Sequence, residues 1–438
     1  MPGTIGIRKE TKDATQRRAP LSPDQVRKLI HEHGIKVLVE PWNNRVFGDD
    51  EYTKAGADVT FDLSPCNILF GVKEVYPEYQ IPDKAYVFFS HTAKGQAYNM
   101  PMLRSLMEKR ISLFDYELVK DEDGKRLIFF GDYAGYAGMI DSLWALGRRL
   151  RLEKIHNPFD AMHYATSYDR VDDARATLKN IAEYIRTQGL DDRLVPFVTG
   201  FTGYGQVSKA AQSLFDLLPV KTLDADGLEE FFRKGDFDKH VVYKVEFRKN
   251  HMYRHSEGKP FNNELFKEQP ELFEENFSRF LPYLTLLING IYWEPRFPKI
   301  VTKAAVKDLF ERYRSPRLRI IGDITCDIDG SVELTVKPTN EDNPVFVYLP
   351  YEDKIVDGWA GNGPVVLAVD KLPTELPRES SESFGSALSK FVPQLAQVDF
   401  RKNTDQLKVP APFRPAMITH NGNLTTPFDY LKGFLDSQ

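Results

Sequence analysis

FVTGFTGYGQVSKAAQ, residues 197 to 212, opens as an apolar strand, turns on glycines and continues into a helix. That order is the cradle for a dinucleotide pyrophosphate: Gly203 permits the tight turn, Gly205 lets the backbone approach the phosphates, and the helix directs its positive N-terminus at them. Tyr204, Gln206 and Val207 complete the turn, and Ser208 stands where the fingerprint has its third glycine. Asp224 lies 21 positions beyond Gly203, after the apolar run 220–223. An acid there usually bonds the ribose hydroxyls of NAD and repels a 2'-phosphate. An ordinary strand-to-helix turn can carry the same glycines, so the surroundings decide.

Outward from this turn the pattern alternates. Further strands are predicted over 241–245, 284–291 and 318–324, and on the N-terminal side over 4–7, 36–39, 68–72 and 85–89. Helical stretches fall between them at 23–33 and 100–109, the first opened by a capping Ser22 and Pro23. Alternation of this kind predicts α/β architecture, with two Rossmann-like domains whose parallel sheets are separated by a cleft. Residues 131–153 pass from small side chains into a long amphipathic helix that links the two. The polar, aromatic stretch 248–279 reads as an insertion, 372–385 as a turn into a helix, and FDYLKGFL as a terminal helix.

At 438 residues the chain exceeds one compact core, and two domains follow. A net charge of -5 provides no basic excess for nucleic acid. No stretch reaches the roughly 20 apolar residues of a membrane span. Only Cys66 and Cys326 occur, which fits a reducing compartment, and MPGTIGIRKETKD lacks the apolar core of a secretory signal. A cytoplasmic location is expected.

Three more signals place polar side chains just after apolar strands: ETKDATQRRAPLSP at 10–23, FGVKEV at 70–75 and FFSHTAKGQ at 88–96. Such positions face the crevice at the strand ends of an open sheet. They supply Arg18, Lys73, His91 and Lys94, a cationic set suited to carboxylates and proton transfer, with Gln96 on the same loop as Lys94. Arg18 offers a planar bidentate partner to a carboxylate. Glu74 either tunes a lysine or forms a surface salt bridge. Asn289 and Gly290 end another strand and are candidates for the nicotinamide ribose. Asp323 and Asp327 read as hydrogen-bonding partners of cofactor or substrate. No metal site is expected: His251 and His255 are one helical turn apart, but nothing nearby completes a ligand set.

Taken together, RRAPL, GVK, FFSHTAKGQ, FGDYAGYAGMI, GYGQVSKAAQ, LINGIYWE and LPTELPRESSESFG resemble the lysine-forming saccharopine dehydrogenases of the alanine dehydrogenase and transhydrogenase superfamily. The resemblance is to the lysine-ketoglutarate reductase half of the bifunctional aminoadipic semialdehyde synthases, and it runs from Arg17 to Gly385. It implies condensation of L-lysine with 2-oxoglutarate and reduction of the imine to saccharopine by NADPH. Lys73 and His91 match the acid/base pair of the lysine-forming enzymes. It also implies a catalytic domain of residues 1–135 plus about 395–438, and a dinucleotide domain of 136–394. No counterpart of the glutamate-forming domain occurs in these residues, so a free-standing reductase is expected. NADPH conflicts with Asp224 and would need Lys221 or Lys209 at the phosphate, so NADH stays open. So do an NAD-dependent lysine-forming enzyme, another amine or keto-acid substrate, a catalytically silent relative, and a homo-oligomer.

Overall fold

The computed structural model describes residues 3–12 and 16–436. The middle of the loop quoted above as 10–23 therefore lies outside the described residues. The chain divides into two units, Met1–Phe130 with Pro377–Gln438, and Gly131–Leu376.

The first unit begins with β1 (Thr4–Ile7), β2 (Lys36–Val39), β3 (Asp58–Val59), β4 (Ile68–Phe70), β5 (Ala85–Phe88) and β6 (Ser112–Asp115), all paired in parallel. The runs ILF, AYVF and SLFD of β4, β5 and β6 are buried throughout. Continuous apolar strands without alternation belong to a sheet covered on both faces. The helix Pro23–His33 starts as its sequence directs, with Ser22 and Gln25 closing a reciprocal cap. Strands run in the order β6, β5, β4, β1, β2, β3, so the chain reverses direction between β1 and β4. A crevice opens at such a reversal, beyond the carboxyl ends of the strands.

In the second unit the helix Gly131–Leu152 comes first. Its small residues have a packing role: a Cβ on Gly135 would stand 2.2 Å from the Val207 carbonyl oxygen. The strands are β7 (Val198–Thr202), β8 (Val220–Leu223), β9 (Val242–Phe247), β10 (Tyr253–His255), β11 (Phe273–Glu275), β12 (Leu286–Asn289), β13 (Ile320–Asp323), β14 (Phe346–Leu349), β15 (Lys354–Asp357) and β16 (Val365–Leu367). The main sheet has the order β15, β14, β16, β13, β12, β7, β9, β8. It is parallel except at β14, which pairs antiparallel with β15 and β16. The expected insertion is folded: β10 and β11 form an antiparallel pair, and Phe261, Phe266 and Phe273 cluster over it.

Three expectations need correction. The return to the first unit occurs at Pro377, well before 395, because the helix Pro377–Leu388 gives Phe384 and Leu388 to that unit's core. Phe384 stacks on Phe130 at 4.4 Å and meets the Tyr116 ring edge-on at 4.9 Å. The outward crossing likewise falls after Phe130 rather than after 135. Finally, the chain end is more than a helix: β17 (Met417–His420) and β18 (Asn423–Leu424) extend the first sheet antiparallel, and FDYLKGFL divides into a 3-10 turn ending at Leu431 and a short helix, Lys432–Asp436. No helix among the described residues is long and apolar enough to cross a membrane.

Candidate active site

At the reversal in the first sheet, polar side chains from the ends of β1, β4 and β5 converge. Glu74, after β4, is almost fully buried. Its Oε1 accepts from Lys12 Nζ at 2.5 Å and lies 2.8 Å from His91 Nδ1. Burial alone would raise this carboxyl, but the hydrogen bonds from His91 and Lys12 override it and hold the group at about 2. An ionised carboxylate cannot donate, so Nδ1 carries the hydrogen and Nε2 is the nitrogen that exchanges protons.

The backbone holds His91 in place at a cost. Its φ of 51° is left-handed, which for a residue other than glycine costs on the order of 1 kcal/mol or more. Neighbours fix the loop: Ser90 donates N–H and hydroxyl to Asp115 Oδ2 at 3.0 and 2.5 Å, and Asn99 Nδ2 donates to the His91 carbonyl. The imidazole stacks on Phe89.

Glu10, after β1, is buried and accepts from the backbone N–H groups of Val72 and Lys73 at 2.7 and 2.9 Å. It thereby ties Lys73 to the end of β1. Burial raises the Glu10 carboxyl, opposed first by Arg8. Arg18 is 5% exposed, lies 4.1 Å over the Phe130 ring and donates from Nε to Gln16 Oε1. Burial pulls its guanidinium down to about 10 against the opposing charge of Glu10, and no carboxylate among the described residues pairs with it directly. A desolvated cation of this kind suits an incoming carboxylate. Arg8 Nη1, Gln16 Nε2, Glu74 Oε2 and the Tyr116 hydroxyl are buried here without a hydrogen-bond partner. Lys94 and Gln96 stay exposed on the loop, where Gln96 accepts from the Tyr98 hydroxyl.

The sequence reading missed Glu10, Lys12 and Asp115. Glu10 and Lys12 follow the apolar run 4–7 and so carried a signal, whereas Asp115 ends β6, a strand the sequence pattern did not mark.

In the second unit the glycine turn has the predicted form. Gly203 has φ 83°, and a Cβ there would press within 3.0 Å of the Gly290 carbonyl oxygen. Gly205 has φ −77°, and a Cβ would meet nothing within 4 Å. The fold therefore does not require glycine at 205, and the space beside it is open to a group approaching the turn. No side chain caps the helix Gln206–Phe215, whose first N–H groups are thus available to phosphate oxygens. Ser208 spends its hydroxyl on the Gly203 carbonyl at 2.7 Å. These features fit a dinucleotide, which Gly203 to Val207, with Tyr204 and Gln206 exposed, would hold. Val207, Gly290 and Asp327 also line one cavity of about 280 Å³, together with Tyr292 and Thr325.

Two predicted ligand-contacting residues are sealed instead. Asp323 is fully buried and accepts from Asn289 Nδ2 at 2.8 Å, Thr325 Oγ1 at 2.6 Å and Thr335 Oγ1 at 2.6 Å. Asn289, equally buried, also bonds Thr202 Oγ1 and Ser331 Oγ. This network ties the ends of β7, β12 and β13 together and leaves neither side chain for a ligand. Lys221 pairs with Asp238 at 3.0 Å, and the rings of His251 and His255 each accept a backbone N–H.

The comparisons agree with this architecture. The alanine dehydrogenase/PNT N-terminal domain family matches residues 6–137. An L-alanine dehydrogenase structure superposes with a TM-score of 0.62 at 17% identity over 99% of both chains. A transhydrogenase from Sinorhizobium meliloti follows with 0.56 at 14%, over 96% of this chain and 100% of that one. The α-aminoadipic semialdehyde synthase of Arabidopsis thaliana is 36% identical over 98% of this chain, and the mitochondrial synthase of Bos taurus 34% over 98%. The chain spans 41% and 47% of those two proteins. A Candida glabrata saccharopine dehydrogenase [NAD(+), L-lysine-forming] is 25% identical over 92% of this chain and 93% of its own length. Residues 6–137 thus match the alanine dehydrogenase/PNT N-terminal domain family, the chain has the two-unit fold of the alanine dehydrogenase and transhydrogenase structures, and nearly all of it is similar to a stretch of the α-aminoadipic semialdehyde synthases.

Proposed function

We propose that this chain is a lysine-2-oxoglutarate reductase, which condenses L-lysine with 2-oxoglutarate and reduces the imine to saccharopine with NADPH. The observation that carries the reading is the buried Glu74 carboxylate held between Lys12 and His91 at the reversal of the first sheet, with Arg18 buried in the same unit. Whole-chain similarity to the synthases supports it.

The residues divide the work. Arg18 binds a carboxylate of the keto acid bidentately. Lys73 takes the proton that the side-chain ammonium of the substrate must lose before it attacks the ketone. His91 Nε2 protonates the carbinolamine oxygen, which leaves as water when the C=N bond forms. Glu74 and Lys12 keep the imidazole in one tautomer and one orientation. Gly203 to Val207 would hold a reduced nicotinamide dinucleotide, whose chemistry would be the hydride needed to reduce an imine. Asp224 favours the second reading, in which NADH is the reductant.

The test is direct: incubate the protein with L-lysine, 2-oxoglutarate and each reduced dinucleotide, follow loss of the reduced cofactor, and identify the product by mass. Saccharopine should form only when all three are present. Cofactor oxidation with another amine but not with lysine would overturn the assignment.

A further inference from the structure

The strand order of the second sheet separates two features that a dinucleotide fold normally keeps together. In that fold the strand after the glycine-turn helix lies beside the first strand, so its terminal acid reaches the adenosine ribose. Here the strand after that helix is β8, and it pairs only with β9. β9 takes the place beside β7, with Thr202 opposite Phe247, and the Gly203 N–H donates to the Phe247 carbonyl at 3.3 Å. The residue that continues past the turn on the adjacent strand is therefore Arg248. Asp224 is displaced by one strand spacing, about 4.8 Å further from β7.

The side chains follow the backbone. The Arg248 guanidinium lies 5.8 Å over the Tyr204 ring, above the turn. Its Nε donates to Glu246 Oε1 at 3.3 Å, and the other Glu246 oxygen accepts from Gln212 Nε2 at 3.2 Å. Glu246 is thus held by Arg248 and Gln212, and no hydrogen bond among the described residues engages the two terminal nitrogens of Arg248. They border a cavity of about 570 Å³ that Asp224, Glu246, Asn250 and His251 also line. A guanidinium with an open planar edge beside the turn suits a phosphate, whereas Asp224 follows the strand that lies one place further from the turn.

We infer that Arg248, at the end of the strand beside the glycine turn, reads the adenosine 2' position and selects the 2'-phosphorylated dinucleotide, and that Asp224 does not set this choice. The inference rests on the nicotinamide reading above.

Equilibrium binding tests it without turnover. The wild-type protein is titrated with NADPH, NADH, 2',5'-ADP and 5'-AMP, followed by fluorescence or calorimetry, beside Arg248→Ala, Arg248→Lys and Asp224→Ala. Arg248 is two-thirds exposed, so folding should survive, and thermal melting checks this. Wild type should bind NADPH at least tenfold tighter than NADH, and 2',5'-ADP tighter than 5'-AMP. Arg248→Ala should weaken NADPH and 2',5'-ADP at least tenfold and change NADH less than twofold, with Arg248→Lys intermediate. Asp224→Ala should move the NADPH to NADH ratio less than threefold. Wild-type preference for NADH, equal weakening of both dinucleotides in Arg248→Ala, or a larger change in Asp224→Ala would each overturn it. Absence of saccharopine with the binding pattern intact would overturn only the substrate assignment; failure to bind any nucleotide would overturn both.

Discussion

Glu74 is a carboxylate that the sequence left between two roles and the structure assigns to one. Its neighbours in sequence show no reason for deep burial; the reason is spatial, because β1 and β5 flank β4 and bring Lys12 and His91 to either side. Replacing His91 with alanine should reduce kcat by about 10²–10⁴ with the melting temperature nearly unchanged, since the imidazole is half-buried and its loop is held by Asp115 and Asn99. Wild-type turnover would remove it from the mechanism. Arg18→Lys should act mainly on KM for the keto acid, raising it about 10-fold or more, because an ammonium loses one arm of a charged pair worth about 1.5–3 kcal/mol. An unchanged KM would place the carboxylate elsewhere. Glu74 also has a signature in stability. Its folded pKa lies below the unfolded value, so its stabilisation is complete above about 4.5 and is lost as pH falls towards about 2. Glu74→Gln should flatten that part of an acid-unfolding curve.

The two glycines of the turn make opposite predictions at the scale of an element. Gly203→Ala must adopt a left-handed φ and crowd the Gly290 carbonyl, so it should cost about 1–3 kcal/mol of folding stability in a denaturant titration. Gly205→Ala meets neither obstacle and should leave stability unchanged while weakening dinucleotide binding by about tenfold or more. Equal losses of stability in both variants would mean that the turn is only structural. Elements of this kind were legible because local chemistry determines them: Ser22 and Pro23 open a helix, and VKTL forms β8 at the residues predicted. Which strand lies beside which is a non-local choice, and periodicity carries no record of it. That is why Asp224 was placed beside the turn, and why Asn289 and Asp323, polar residues at strand ends, were read as reaching a ligand when they bond each other. The short β17 and β18 were missed for a related reason: an antiparallel extension is fixed by its partner β6 as much as by its own four and two residues.

At the scale of the molecule, the ordered series of motifs conveyed the two-unit α/β plan, while the junction at Pro377 depended on where Phe384 and Leu388 are buried. The second unit contains a further device outside the candidate site. Asp141 on the long helix and Glu375 near the unit's end are buried carboxyls that act on each other. Asp141 Oδ1 accepts from the Ala165 N–H and Glu375 Oε1 from the Tyr164 hydroxyl, which leaves Asp141 Oδ2 and Glu375 Oε2 buried without a hydrogen-bond partner. Two acceptors can meet only if one of them keeps a proton. Burial raises both groups, and in Asp141 the charge of Glu375 adds to it. A folded pKa above the unfolded value means that the pair's contribution is complete below about pH 4 and declines as pH rises through the folded value. The melting temperature should therefore fall as pH rises above the ordinary carboxylate range. Asp141→Asn keeps an acceptor for Ala165 and supplies a permanent donor for Glu375, so it should flatten this decline and stabilise the protein by about 1–3 kcal/mol at the alkaline end. Calorimetry of the two proteins across that rise in pH decides the matter: parallel curves would show that no proton is shared between these carboxyls.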